Sequence, residues 1–596
     1  LKTTSTLCAV AAAAQILVVV GCATAPQPVT KIVNGRVIVT RAVSPEAYEH
    51  VARALLYEEE ERWEEAADEL QRALPFDDEA AEVRAHLAEL FVRLGRLDDA
   101  AEQIEHSLKI DPTVEGHLAA AHLKQARGDG PAALDSFRRA VALALSNEDA
   151  DASERAHLEL SDAQIVALDV AGALDTTREL VQTSPDSQRG RVQLAALSWA
   201  VGHLDDAEAS LKTALEEEPG DIDARVLLAE VQAAAGHIAE AKATFRDAID
   251  RADAPLPIAQ AVAGWLVLRG DQADAVELGD RVAAEAVDAD TLTVASQLER
   301  TIKRYDRALD LAERARNLGA PPGRVAVLAG EALAAKGDHA GALARYLGVS
   351  RDASEYVDAR LHAGELLRDD GKTDDAARVL DEALVVAGSE HERIAELVAA
   401  RSAVDEKRGD AARAARRLDE ALARDHDDAR LMLARAAVEE RRGEWRQALA
   451  MAEKLLAREP RNVEALNFAG FVAADHAAGG GAGADAGVDL QRAIRRLQAA
   501  VALSPGSGGV IDSLGWSYFR AGDLARATAF LEQAGRLEPG DPEILGHLGD
   551  LYEARHERAR ALETYRRALT LSPPDKLARE LTDRVRTLEA KSAAGR

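Results

Sequence analysis

From residue 45 onward, apolar side chains recur every three or four positions in short runs, each ending in a glycine or polar turn. Between Ile544 and Ala568, Leu548 and Tyr552 mark one run, and Ala561, Tyr565 and Ala568 mark the next. That spacing puts them on one face of each of two helices, with Pro573 past the second, where proline stops a helix. The helix-turn-helix unit then repeats. Pro185 and Pro219 lie 34 residues apart, as do Pro505, Pro539 and Pro573. Gly202, Gly236 and Gly270 keep the step, Arg304 takes the next beat, Gly337 and Gly371 nearly follow, and Gly409 and Gly443 repeat it. A period of this length predicts a stacked array in which no unit buries its apolar face alone. Turns near residues 61, 95, 128, 172, 202, 236, 270, 304, 337, 371, 409, 443, 477–488, 522 and 556 predict about fifteen units. The step from 443 to 522 is longer than two repeats, and the excess is assigned to a flexible glycine-rich loop at 478–488 between the helices of one unit.

The unit resembles the tetratricopeptide repeat, whose pattern has adjacent Leu and Gly in the first helix, then an aromatic, and Ala, a large residue, Ala and Pro in the second. Residues 508–541 supply Leu514, Gly515, Tyr518, Ala527, Leu531, Ala534 and Pro539. The next unit supplies Leu548, Gly549, Tyr552, Ala561, Tyr565, Ala568 and Pro573, and an early one Leu87, Ala88, Phe91, Ala100, Ile104 and Pro112. The resemblance implies an all-α, right-handed superhelical solenoid. Its expected parts are an N-terminal array at 45–250, a degenerate stretch at 251–425, a C-terminal array at 426–573, and a capping helix and tail at 574–596.

Composition agrees with close-packed helices: 47% of residues are hydrophobic but only 4% aromatic. The formal charge of −30 repels phosphate backbones and argues against nucleic-acid binding. It reads as a solubilising coat, with Glu58–Glu61, Glu64 and Glu65 as the one local concentration that suits a lure for basic partners. The two cysteines, Cys8 and Cys22, leave no disulfide framework for the body.

Lys2 and the apolar run Leu7–Val20 predict an export signal over 1–21, too short for a comfortable membrane span. The run Val18-Val19-Val20-Gly21-Cys22 resembles the lipobox of bacterial lipoproteins, with Val19 where the pattern usually has Leu. That resemblance implies cleavage before Cys22, acylation of Cys22, and a lipid anchor on the periplasmic face; Ala23 after the cysteine resembles lipoproteins sorted to the outer membrane. A plain cleaved signal with Cys22 incidental is the competing reading. Residues 22–44 form a tether in which Asn34-Gly35, between two apolar runs, predicts a β-hairpin.

Several chemical motifs are decoys. Gly371-Lys372-Thr373 lacks both the first glycine and the preceding strand of a phosphate loop, and Gly481-Ala482-Gly483 lacks the strand of a dinucleotide fingerprint. Asp425-His426-Asp427-Asp428 falls between repeats, where acidic helix-start residues are ordinary. No catalytic, cofactor or metal residue is assigned, and no small-molecule substrate.

In the tetratricopeptide family the first helix of each pair lines a concave surface. Mapped here, that implies a partner groove of Asn467, Phe471, Asp512, Trp516, Phe519, Arg520, His547 and Asp550, with Trp199 in an earlier unit. Asn467 and Asp512 hold equivalent places, as do Phe471 and Trp516. Trp516 reads equally well as core; Trp63 and Trp445 read as packing residues, and Trp265 is unassigned. The expected function is a protein-binding scaffold. Repeats and anchor together resemble the outer-membrane adaptor lipoproteins of periplasmic carboxyl-terminal processing proteases, whose partners are a protease and cell-wall enzymes. The alternative is an assembly factor for an outer-membrane secretion, pilus or polysaccharide-export machine.

Overall fold

The computed structural model describes residues 28–33, 36–41, 43–388, 391–477 and 484–594. The signal segment at 1–21, Cys22, and the glycine-rich run 478–483 lie outside them. Strands Pro28–Val33 and Arg36–Arg41 pair antiparallel, with Val33 opposite Arg36 and Pro28 opposite Arg41. After them come thirty-one described helices, from Pro45–Glu59 to Asp575–Ala594, succeeding one another as fifteen helix-turn-helix pairs and a final helix. The chain is an all-α array of stacked pairs. It divides into two compact units, residues 1–163 and 164–596. Of the loop expected at 478–488, residues 478–483 lie outside the described residues, and 484–488 instead open the helix Ala484–Leu503.

One contact recurs inside the pairs. A small residue on the first helix faces a large one on the second, so the two backbones come close. A Cβ at Gly515 would stand 2.8 Å from Leu531, and one at Gly470 would stand 2.5 Å from Leu497. At Gly330, Gly364 and Gly549 it would run into Tyr346, Leu380 and Tyr565 respectively. In the N-terminal unit Ala88 and Ile104 share one buried cluster with the same order of small and large.

The turn within each pair also repeats, by backbone conformation more than by residue type. Gly202, Gly236, Gly270, Gly337 and Gly371 all have positive φ, and Leu168, Lys303 and His556 take the same conformation without being glycine. The beats read at 172 and 304 therefore fall at Leu168 and Lys303. A side chain there costs roughly 1–2 kcal/mol in left-handed backbone.

Within the 164–596 unit the array closes on itself. The indole N–H of Trp199 donates to Gln533 Oε1 at 2.9 Å, 334 residues away, and the side chain is fully buried. Trp265 donates to the carbonyl of Arg536 at 3.3 Å, and Arg536 Nε donates to the carbonyl of Ala234 at 2.7 Å. Leu268 packs over Gly540, where a Cβ would collide with it. Residues from 165–241 and 466–588 share one apolar cluster. Helices Leu524–Leu537 and Ala484–Leu503 thus pack against Ile222–Ala235 and Gln188–Ala200.

These contacts make contrasting substitutions informative. Gly549→Ala should lower stability by about 1–3 kcal/mol, since the Tyr565 ring is fully buried and must move. Gly546→Ala on the same helix, whose Cβ would sit 3.6 Å from Leu581, should be neutral or stabilising; calorimetry of the two variants tests the contrast. Lys303→Gly should stabilise the chain by about 1 kcal/mol, and a lower melting temperature would count against strain at that turn.

Candidate protein-binding groove

Three helices build the groove: Gly508–Arg520, Pro542–Ala554 and the final Asp575–Ala594. Ser507 caps the first, its hydroxyl accepting from Val510 N at 3.4 Å, and Asp541 caps the second, accepting from Glu543 and Ile544 N. These caps fix where each helix begins. The cavity between them measures about 2380 Å³ including its open mouth. Its walls carry Trp516, Phe519, Arg520, His547 and Asp550, joined by Leu577, Leu581 and Arg584 of the final helix.

Aromatic stacking organises the floor. The His547 ring lies on Trp516 at 4.2 Å and 17°, and Phe519 lies beside Trp516 at 5.0 Å and 19°. Phe471, one repeat earlier, lies tilted against His547 at 6.3 Å and 36°. Trp516 is 9% exposed, so it is at once a packing residue and part of the groove wall. Its indole N–H donates to Asp475 Oδ1 at 3.3 Å, and the same carboxylate binds Arg520.

A polar ladder runs beneath the rings. His547 Nδ1 meets Asp512 Oδ2 at 2.7 Å. Burial disfavours the imidazolium, but the charge and hydrogen bond of Asp512 outweigh it and hold the His547 pKa above its ordinary value. The other oxygen of Asp512, and Oδ1 of Asn467, are buried without a hydrogen-bond partner. Asp550 accepts from the Tyr565 hydroxyl and pairs with Arg584 at 3.3 Å; burial still pushes its carboxyl up.

The sequence-derived groove residues thus divide. Trp516, Phe519, Arg520, His547 and Asp550 come together on one wall. Asp512 lies beneath it, 5% exposed, while Asn467 and Phe471 are half-buried one repeat away. Trp199 is corrected: it is fully buried with its indole N–H bonded to the chain's own Gln533, so it lines nothing open. Asp475 and the final-helix leucines were missed. Asp475 stands one helical turn after Phe471, and Leu577, Leu581 and Leu588 keep helical spacing, so both lay within reach of the pattern.

The remaining tryptophans pack. Arg93 stacks on Trp63 at 4.1 Å, Trp445 stacks on His476 at 5.2 Å, and Trp265 lies against Phe245 at 5.5 Å. Asp428 caps a helix by accepting from Leu431 N at 2.7 Å, and Asp427 pairs with Arg458 at 2.8 Å. Among the described residues no group of three or more His, Cys, Asp or Glu is placed to hold a metal. No described helix is long and apolar enough to cross a membrane.

The N-terminal unit has its own ladder on first helices. His86 meets Glu58 at 2.8 Å, and His122 bridges Glu89 at 2.8 Å and Glu159 at 3.2 Å. Burial opposes the charge on His122, yet the two carboxylates raise its pKa to about 9.

The tetratricopeptide repeat family matches at residues 51–115, 198–266, 327–392 and 518–584. The chain carries tetratricopeptide repeats in both units. No curated protein matches it. Among solved structures, it is similar to a thermophilic tetratricopeptide protein of Thermus thermophilus, with 22% identity over 33% of this chain and 99% of that one and a TM-score of 0.30. Yeast Tom70 matches at 13% identity over 74% and 97% of the two chains, with a TM-score of 0.38. A tetratricopeptide repeat protein of Parabacteroides merdae matches at 15% identity over 49% and 100%, with a TM-score of 0.27.

The His122 bridge makes stability depend on pH. A raised folded pKa means that its contribution is complete below about pH 6.5, the ordinary histidine value, and is lost as pH rises through about 9. Melting temperatures of the native chain and of His122→Gln, measured across this range, should converge toward high pH. A constant gap would show that His122 contributes no proton-linked stability.

Proposed function

We propose that this chain is a lipid-anchored scaffold on the periplasmic face of a bacterial outer membrane, holding partner proteins close to one another. The anchor rests on the lipobox-like run ending at Cys22. Tetratricopeptide repeats imply protein partners, and no reaction is assigned to the chain. The observation that carries the reading is the groove at Trp516: stacked aromatics beside charged groups, the composition of interaction hot spots, on a wall left open. Trp199 is fully buried, so it offers no second site of that kind.

Proximity is the mechanism. A partner held in the C-terminal groove and another held elsewhere on the array meet at an effective concentration far above their free ones. The resemblance to adaptors of carboxyl-terminal processing proteases suggests a periplasmic protease and cell-wall enzymes as the pair.

The test is crosslinking of the native protein in its membrane, with partners identified by mass spectrometry. A Trp516→Ala, Arg520→Ala double variant runs alongside, its folding checked by circular dichroism. Loss of one protease or wall enzyme in the folded variant is the expected result. Partners that are subunits of an export or pilus machine would replace the adaptor role with assembly, and partners unaffected by the variant would move the site elsewhere. Cys22→Ala should release the protein from the membrane fraction, and unchanged membrane association would refute the lipid anchor.

A further inference from the structure

The groove's charges carry the docking reading further, to the chemistry of what docks; this step rests on that reading. Five carboxylates line the groove, from Glu543, Asp550, Glu553, Glu580 and Asp583, against three guanidiniums, from Arg520, Arg558 and Arg584. Two of the three guanidiniums are already engaged: Arg520 is held by Asp475, and Arg584 by Asp550 and Glu553. Glu543 makes no ion pair among the described residues. Crowding by protein pushes its carboxyl up, His547 offsets this in part, and Asp512, Asp541 and Glu440 add to it.

This surface carries more carboxylates than guanidiniums, laid beside an apolar wall of Trp516, Phe519, Leu577 and Leu581. An acidic segment would meet repulsion from Glu543, and a purely apolar one would leave the carboxylates as they are. We propose that the groove takes a protein segment in which a lysine or arginine neighbours an apolar side chain, the cation seated on Glu543 and the apolar group against Trp516 and Phe519.

Three fluorescein-labelled peptides test this on the full chain. They share a glycine-serine frame and differ only in the centre, Leu-Arg-Leu, Leu-Gln-Leu or Leu-Glu-Leu; binding is read by anisotropy at about 0.15 M salt, where remote charges are screened. The arginine peptide should bind at least about tenfold tighter than the glutamine one, and the glutamate peptide weakest. Glu543→Gln should bring the arginine and glutamine peptides to within about twofold of each other. Glu59→Gln, at an exposed acid outside the unit that holds the groove, should change nothing. If the arginine preference survives Glu543→Gln, it comes from net charge and the proposal is overturned. If all three peptides bind alike and lose binding in Trp516→Ala, the groove remains a docking site and only its charge selection falls. If none binds, the proposal falls with the groove.

Discussion

The helix pairs share one recurring close approach, a small residue facing a large one. Gly515 against Leu531 and Gly549 against Tyr565 let two backbones come near enough for every other contact in the pair to form. The positive-φ turn sets the angle at which the second helix leaves the first. Stacking then carries the same geometry to the next pair, so that side chains one repeat apart fall on a common wall. The ladder from Asp512 to His547, and that from Glu89 through His122 to Glu159, are outcomes of that stacking. Neither would exist if the pairs were spaced more loosely.

An array of this kind could offer the same inner face to partners along its whole length. The closure between Trp199 and Gln533 prevents that in the C-terminal unit. It sets one late helix, Leu524–Leu537, against the earlier helices that carry Trp199 and Ala234. Its neighbour Gly508–Arg520 is left with its own inner wall open. The two tryptophans read as groove residues, Trp199 and Trp516, therefore end in different situations: one fully buried against an amide of its own chain, the other stacked with His547 and Phe519 on the wall of the cavity.

Most of the local architecture was legible in the sequence because repeats write their packing into a fixed period. Most turn positions, the small and large pairing of Gly515 with Leu531 and Gly549 with Tyr565, and the equivalence of Asn467 with Asp512 all follow from counting. The closure was not legible. A side chain turned toward a neighbouring repeat and one turned toward a helix 334 residues away have the same apolar character and spacing, and only the folded chain separates them. The beat drifted at two turns that lack glycine, where Leu168 and Lys303 adopt the turn conformation without its usual residue. Asp475 escaped notice for a different reason: a charged residue on a helix face looks solvent-bound until an indole N–H and a guanidinium are seen to meet it.

The seam from Trp199 to Gln533 has an implication for how such a chain can vary. In an open stack, a unit gained or lost in the interior merely lengthens or shortens the product. Here Arg536 must arrive opposite Ala234, and Gly540 opposite Leu268, after the intervening pairs have each contributed their increment of rotation. Removing one pair between residues 270 and 483 would swing the late helices out of alignment with their seat. The number of units in that span is thereby locked, in the way that the number of staves is locked once a barrel has been hooped.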